Sequence, residues 1–441
     1  MNIAAFPKYE HYRDTGSDWI EELPSHWEVQ PVRANFAFRN EKNDPVVTED
    51  ILSLSIANGV TLYNEEGRGG NKRKDDLTAY KIARPDDIVL NSMNVIVGAV
   101  GRSKYFGAIS PVYYAMYATK PNTNISYYDR VFSNSAFQKG LLRHGKGILM
   151  KLSGTGQLNT IRMKISQSDL KNVLLPSPPP DEQKAIVSFL DGKCAKIDEA
   201  LRIKEEQIKL LAERRQILIQ QAVTRGLNPA APMKDSGIDW IGQIPAHWEV
   251  RRNFTLFRET KKSGNATLPV LSVSIHSGVS KEELSEEDNI RSIVKIEDRT
   301  SYKEVLRGDV AYNMMRAWQG GIGAVHTHGM VSPAYVVARP IVTLAADYFE
   351  LLYRTPAFIA QMDAGSKGIT DFRKRLYWDD FRNLFTIAPP LDEQKQIIQY
   401  SDELSEKIGK AISIKEDQIA ALKEYKTSLI NAAVTGKIKV I

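Results

Sequence analysis

The chain has 441 residues, 42% hydrophobic and 25% charged, with a net charge of +6 and a pI near 9.0. That length exceeds one ordinary core and predicts two or three domains. No apolar run approaches the ~20 residues of a membrane helix, a single cysteine, Cys194, excludes an intramolecular disulfide and any multi-cysteine zinc site, and the mild positive charge permits a polyanionic partner without requiring one.

The first residues, MNIAAFPKYEHYRD, have the pattern of neither a signal peptide nor an Arg-rich transit sequence. With the sparse cysteine, this fits a reducing cytoplasm and no membrane association. Next comes DTGSDWIEELPSHWEV, Asp14–Val29, which returns as DSGIDWIGQIPAHWEV, Asp235–Val250, with ten of sixteen positions identical.

Other matches follow at nearly the same offset. LSLSIANGV (Leu52–Val60) answers LSVSIHSGV (Leu271–Val279), and Tyr80, Asp87, Asn91 and Met93 answer Tyr302, Asp309, Asn313 and Met315. SPVYY (Ser110–Tyr114) answers SPAYV (Ser332–Val336), PDEQKAI (Pro180–Ile186) answers LDEQKQI (Leu391–Ile397), and KEEQIKLL (Lys204–Leu211) answers KEDQIAAL (Lys415–Leu422). The offset falls by about ten along the way, so the two middles differ in length. A period this long marks a duplicated domain pair; solenoid units run about 20–50 residues. The predicted boundaries are a strand-rich region at 1–180, a helical region at 181–227, a second strand-rich region at 228–390 and a second helical region at 391–441.

Within the first copy, DILSLSI, DDIVLNSM and SPVYYAMYA read as short strands and YYDRVFSNSAFQKGLL as helix; within the second, LPVLSVSI, GDVAYNMM and AYVVARP read as strands and DYFELLYRTPAFIAQM as helix. Gly, Asn and Pro punctuate them. An α+β domain with a curved, largely antiparallel sheet is expected in each half.

The loops between these pieces carry charge and amides. The first half offers Arg68, Asn71, Lys72, Arg73 and Lys74, then Lys146, Lys151, Thr155, Gln157, Asn159, Arg162 and Lys164. The second offers Arg316, Trp318 and Gln319, then Lys367, Thr370, Arg373, Lys374 and Arg375. Lys and Arg hold phosphates, Arg forks onto guanine, and Asn or Gln onto adenine. Any one such cluster also reads as a solvated loop. Several, in matching places of two copies that agree in frame and disagree in loops, favour two different nucleic-acid-reading surfaces.

Each strand-rich region ends in a proline knot and a long helix. After PSPPPDEQ the apolar residues alternate by threes and fours: Leu190, Cys194, Ile197, Leu201, Ile208, Leu211, Leu218, Ala222, interrupted by Lys204 and Arg215. The second helix keeps the register through Ser401, Ser405, Ile408, Ile412, Ile419, Leu422, Leu429 and Ala433, with Lys415 and Lys426 as its interruptions. This narrow stripe is coiled-coil spacing, and the other copy is the natural partner. Packing of each helix on its own domain is the alternative. About 40 residues at 1.5 Å make a rod of roughly 60 Å.

Several catalytic motifs are approached and missed. SPPPD (Ser177–Asp181) is near an amino-methyltransferase motif but lacks the stacking aromatic. GLLRHGKG (Gly140–Gly147) is near a phosphate loop but ends in Gly147 where a hydroxyl belongs, and GGIG (Gly320–Gly323) is too short for a dinucleotide fingerprint. His326 and His328 lack a clear third metal ligand. His26 and His247, inside the repeated HWEV, read as packing and hydrogen-bonding residues rather than catalytic ones.

The order of elements, the phrases ELPSHWEV and QIPAHWEV, PPPDEQKAIVSFLD and PPLDEQKQI, and the closings QQAVTRGL and LINAAVTGKI together resemble the specificity subunit of type I restriction-modification systems, over nearly the whole chain. The resemblance implies two tandem target-recognition domains with mixed, largely antiparallel sheets, each followed by a long helix, the two helices pairing as an antiparallel coiled coil. It implies a non-catalytic DNA reader in which each domain reads half of a bipartite double-stranded site and the coiled coil sets the gap. The implied partners are two methylation subunits, which bind S-adenosylmethionine, and restriction subunits, which use ATP; this chain itself is expected to bind no cofactor or metal. SGTGQLNTIRMKIS resembles the family's Gly/Thr/Gln/Asn segment near the DNA, whereas GSKGITDFRKRLYWDD has no Gln or Asn there. Two other readings remain: a stand-alone enzyme with fused readers, which the incomplete motifs disfavour, and a duplicated scaffold without a DNA role, which charge reversal at Lys72, Arg73, Arg373 and Lys374 would expose.

Overall fold

The computed structural model describes residues 3–17, 19–56, 58–63, 76–93, 99–146, 150–152, 158–161, 164–265, 267–282, 301–368 and 374–440, with the backbone alone at 146, 150–152 and 158–161. The chain divides into two compact units, one of residues 1–205 with 416–441 and one of residues 206–415. Each unit therefore holds one strand-rich domain, the start of the helix that follows it and the end of the other long helix.

At the centre of the first unit is a four-stranded antiparallel sheet in the order Phe36–Arg39, Tyr113–Ala118, Ile88–Asn91, Val100–Arg102. The second unit repeats it as Phe257–Thr260, Tyr335–Pro340, Val310–Asn313, Ile322–Ala324. These strands are apolar at consecutive positions because both faces are covered. Ile88 and Leu90 face the helices, whereas Val89 turns the other way onto a small β layer with Leu52, Val60, Ala83 and Ile109. Val310 and Tyr312, against Ala311, divide in the same manner. Among the described strands, Val270–Leu271 runs parallel to Gly329–Val331 and makes that three-stranded sheet of the second unit mixed.

The helices that cover each sheet begin where side chains cap them. Asn124 and Asn134 accept backbone N–H groups at the starts of Ile125–Phe132 and Ser135–Gly140; Thr355 does so for Pro356–Gly365, whose first residue is a proline. Ala346–Tyr353 completes the second pair. The expected strands and helices thus fall where the apolar patterns placed them.

In both units the start of the domain pairs with its end. Glu28–Pro31 runs antiparallel to Leu174–Ser177, and Glu249–Arg252 to Phe385–Ala388. The chain then passes through prolines into the long helices Pro180–Arg225 and Leu391–Val434. Here the two repeated phrases meet. Glu182 at the first helix start accepts Trp27 Nε1 (2.9 Å), Tyr9 Oη (2.8 Å) and the ring of His26 (2.6 Å). Glu393 takes Trp248 Nε1 (2.9 Å) and the His247 ring (2.5 Å). Gln183 and Gln394 donate back to the carbonyls of Pro178 and Pro389, each at 2.8 Å. HWEV and PPxxEQ recur together because each is the other's hydrogen-bond partner, and His26 and His247 are hydrogen-bonding members of that frame.

The long helices pair antiparallel. In the first unit Asp198 bonds Lys426 (2.6 Å) and Lys204 bonds Gln418 (2.6 Å), so rising numbers on one helix meet falling numbers on the other. Leu190, Ile197 and Leu201 share a core with Leu422, Leu429 and Ala433. In the second unit Ala222 and Val223 share a core with Ile397. Two of the basic residues that interrupt the stripe, Lys204 and Lys426, are thereby answered across the pair. The helix ends dock equivalently too. Tyr127 Oη donates to the carbonyl of Val434, and Tyr348 Oη to that of Val223, both at 2.9 Å. Gly436 (φ +68°) and Gly226 (φ +72°) end the two helices against Trp27 and Trp248, where a side chain would be strained. No described helix is long and apolar enough to cross a membrane.

Candidate nucleic-acid interface

The second unit brings two of the basic loops together. Strand Val310–Asn313 ends in a turn in which Asn313 Oδ1 accepts the N–H of Met315 (2.9 Å). The short helix Ala317–Gln319 follows and closes at Gly320 (φ +87°). Gly321 lies so close that a Cβ would stand 2.9 Å from the Arg316 carbonyl oxygen. Arg316 Nη1 donates to Gln319 Oε1 (2.7 Å), and Trp318 Nε1 to the Met315 carbonyl (2.9 Å). The second loop leaves helix Pro356–Gly365 and closes on itself through paired backbone bonds between Lys367 and Arg375 (2.9 and 2.8 Å). It is tied to the first loop where Leu376 N–H donates to the Met314 carbonyl (2.9 Å) and where Lys374 Nζ lies 5.0 Å from the Trp318 ring.

Not every cation there is equally available. Lys374 bonds Asp363 (2.7 Å) and Lys367 bonds Asp380 (2.9 Å). The hydrogen bond to Asp380 holds the Lys367 ammonium above the ordinary lysine range. Arg316, Trp318, Gln319, Lys367, Lys374 and Arg375 thus form one cluster, with Lys374 clamped between a carboxylate and an indole. Thr370 and Arg373 lie outside the described residues.

The first unit has the same frame and a different filling. Asn91 Oδ1 accepts the N–H of Met93 (3.0 Å), and Ile165 N–H donates to the Ser92 carbonyl (3.0 Å), the counterpart of the Leu376–Met314 bond. The roughly ten extra residues of the first copy fall just before this bond. They form a hairpin of Met150–Leu152 with Leu158–Ile161, standing beyond a short ladder of Gly145–Lys146 with Lys164–Ile165. Lys146, Lys151, Asn159 and Lys164 belong to these strands, and Lys164 is exposed. Thr155, Gln157 and Arg162 lie outside the described residues, as do Arg68, Asn71, Lys72, Arg73 and Lys74.

The two histidines of HTH face different acids: His326 lies 3.4 Å from Asp347 and His328 3.2 Å from Glu304. Among the described residues no three His, Cys, Asp or Glu side chains are grouped to hold a metal.

No protein-family profile matches the chain. It is similar to the type I restriction enzyme EcoKI specificity subunit of Escherichia coli K12, with 24% identity across 89% of this chain and 86% of that protein. It is also similar to the putative type I restriction enzyme MjaX specificity subunit of Methanocaldococcus jannaschii, 22% identical over 262 residues. That match spans 56% of this chain and about half (56%) of the relative's length. Among solved structures, a chain from a study of complex assembly and conformational transition of the type I R-M system superposes with a TM-score of 0.60 at 15% identity, covering 94% of this chain and 99% of that one. The HsdS subunit of Thermoanaerobacter tengcongensis superposes at 0.50 and 14%, covering 94% and 98%. These superpositions speak for the fold: two strand-rich domains, each followed by a long helix, with the helices in contact. With both repeated phrases interlocked in each unit, the chain is similar, distantly but along most of its length, to the specificity subunits of type I restriction-modification systems.

Proposed function

We propose that the chain reads a bipartite double-stranded DNA site, one half-site per unit, as the non-catalytic member of a methylation and restriction complex. The observation that carries this reading is the pairing of an identical frame with unlike loops. Asn91 and Asn313 open the same turn, and Ile165 and Leu376 close it with the same bond, yet one unit fills the place with a β hairpin and the other with a Trp–Lys–Arg cluster. A frame held constant while its loops vary suits two unlike half-sites, because base contacts specify whereas phosphate contacts only position.

Arg316, Gln319 and Arg375 are the assigned base and phosphate contacts of the second unit, with Trp318, Lys367, Lys374, Thr370 and Arg373 around them. Lys146, Lys151, Thr155, Gln157, Asn159, Arg162 and Lys164 serve the first, joined by the loop from Arg68 to Lys74. The paired helices set the spacer between half-sites and carry the docking surface for two methylation subunits, which supply S-adenosylmethionine; restriction subunits supply the ATP-dependent step. Docking is supported in the second unit by Leu210 and Ile217, seven residues apart on one helix and 53% and 54% exposed, and by Ile414 on the other at 56%.

The experiment is a selection from randomised duplexes by the full chain in complex with its methylation subunits. The expected product is a two-part motif whose binding weakens steeply with salt and collapses when the spacer changes by a few base pairs. Methylation by such a complex without regard to sequence would overturn the reading.

A further inference from the structure

Lys81 and Lys303 occupy the same place in the two units. Lys81 opens strand Lys81–Ala83 and donates to the Tyr113 carbonyl at 3.1 Å; Lys303 opens strand Lys303–Val305 and donates to the Tyr335 carbonyl at 2.6 Å. Tyr113 pairs in register with Asn91, and Tyr335 with Asn313. Asn313 opens the turn that leads to Arg316–Gln319, and Asn91 opens the equivalent turn, whose Ser92 carbonyl accepts the N–H of Ile165 from the basic ladder, so each ammonium is fixed beside the candidate residues of its unit. In the first unit Lys164, from the basic ladder, is close enough to repel Lys81.

An ammonium has three donors, and the carbonyl uses one. Among the described residues no carboxylate bonds either lysine. Glu259 lies near Lys303 but is bonded to Lys261 at 3.2 Å. Both ammoniums are half-buried, and burial pushes both below the ordinary lysine range. The charge of Lys164 adds to this for Lys81, whereas Glu259 opposes it for Lys303. Lys81 also lies 5.4 Å from the Tyr114 ring. Holding a partly desolvated cation with no carboxylate bonded to it is unfavourable, and a strand start does not require it. The chain does so twice, at equivalent positions, while the loops alongside have diverged.

Resting on the DNA-reading role above, we propose that Lys81 and Lys303 are equivalent phosphate anchors, one per unit, each gripping a DNA backbone phosphate beside the bases its neighbouring loops read. A phosphodiester oxygen would accept the unused N–H groups and supply the missing anion. Because every sequence presents the same phosphate, such an anchor stays constant where base readers differ.

The test compares the wild-type complex with Lys81→Met, Lys303→Met and the double variant, on the duplex selected by the wild type and on a scrambled duplex. The slope of log affinity against log salt should become shallower by about 0.9 per substitution and about 1.8 for the pair. Per contact, the affinity lost between about 50 and 200 mM salt should then be smaller by about 3.5-fold. The weakening should be equal on both duplexes, and Lys81→Arg and Lys303→Arg should keep the wild-type slope. Should the Met variants melt early, Lys81→Gln and Lys303→Gln keep a donor for the tyrosine carbonyl while removing the charge, and the same slopes are expected of them. Variants that melt like the wild type with an unchanged slope would overturn the proposal, as would weakening confined to the selected duplex. A wild-type complex that selects no duplex removes the DNA-reading role itself, and that is seen before any variant is made.

Discussion

In the first unit Asp87 takes a forked guanidinium from Arg39 on the edge strand (2.7 and 2.9 Å); in the second, the equivalent Asp309 takes one from Arg339 on the central strand (2.9 and 2.8 Å). The strand registers make Thr260 the counterpart of Arg39 and Tyr117 the counterpart of Arg339. The buried acid needs a bidentate partner, and neighbouring strands both bring side chains within reach of it. What the two copies retain is therefore the satisfied acid, and the donor is free to change strands.

That comparison can be broken directly. Arg39→Thr leaves Asp87, only 1% exposed, without its guanidinium and, among the described residues, with only the Arg84 N–H (2.9 Å) on its carboxylate, and should cost about 3 kcal/mol in the melting of the first unit. Adding Tyr117→Arg, which installs the second unit's arrangement in the first, should restore most of that loss. If the double variant is no more stable than Arg39→Thr alone, the equivalence of the strands fails.

A smaller contrast lies at the helix starts. Glu182 holds three donors and Glu393 two, because the first unit adds Tyr9. Each acid serves a buried indole N–H, so Glu182→Ala should cost about 3 kcal/mol and Glu393→Ala about 2 kcal/mol by chemical denaturation. Burial alone would raise the Glu182 carboxyl, but the hydrogen bonds from Trp27, Tyr9 and His26 outweigh it and hold it below the usual range. A depressed carboxyl contributes stability that is present above the unfolded value of about 4.3 and is lost as pH falls through the folded value. The gap between wild type and Glu182→Gln should therefore narrow as pH is lowered below about 4; a gap that stays constant with pH would show that the carboxylate charge is not what the donors need.

The smallest expected effect is an equality. Tyr127→Phe and Tyr348→Phe each remove one bond to a helix-end carbonyl of the same length, and each should cost about 1 kcal/mol. Unequal losses of stability would mean that the two helix ends are not docked alike.

The amino-acid sequence determined the duplication, the strands and helices, and the helix seam. Those features follow from local periodicity and from comparison of one copy with the other. Leu190, Ile197, Leu429 and Ala433 are buried where the three–four spacing placed them. The sequence also supplied the phrases HWEV and PPxxEQ, but not that Glu182 and Glu393 join them across some 150 residues, since a hydrogen bond between distant segments leaves no periodic trace. The loop clusters were found by composition. Only the tertiary structure decided that Arg316–Gln319 and Lys374–Arg375 share one place, that Lys367 and Lys374 are already held by acids, and that ten extra residues become a hairpin. Nothing in the sequence marks Lys81 and Lys303: each is a lone cation at a strand start, and only the fold, by bonding each to a tyrosine carbonyl in register with the turn asparagine, shows that the two lysines are one position used twice.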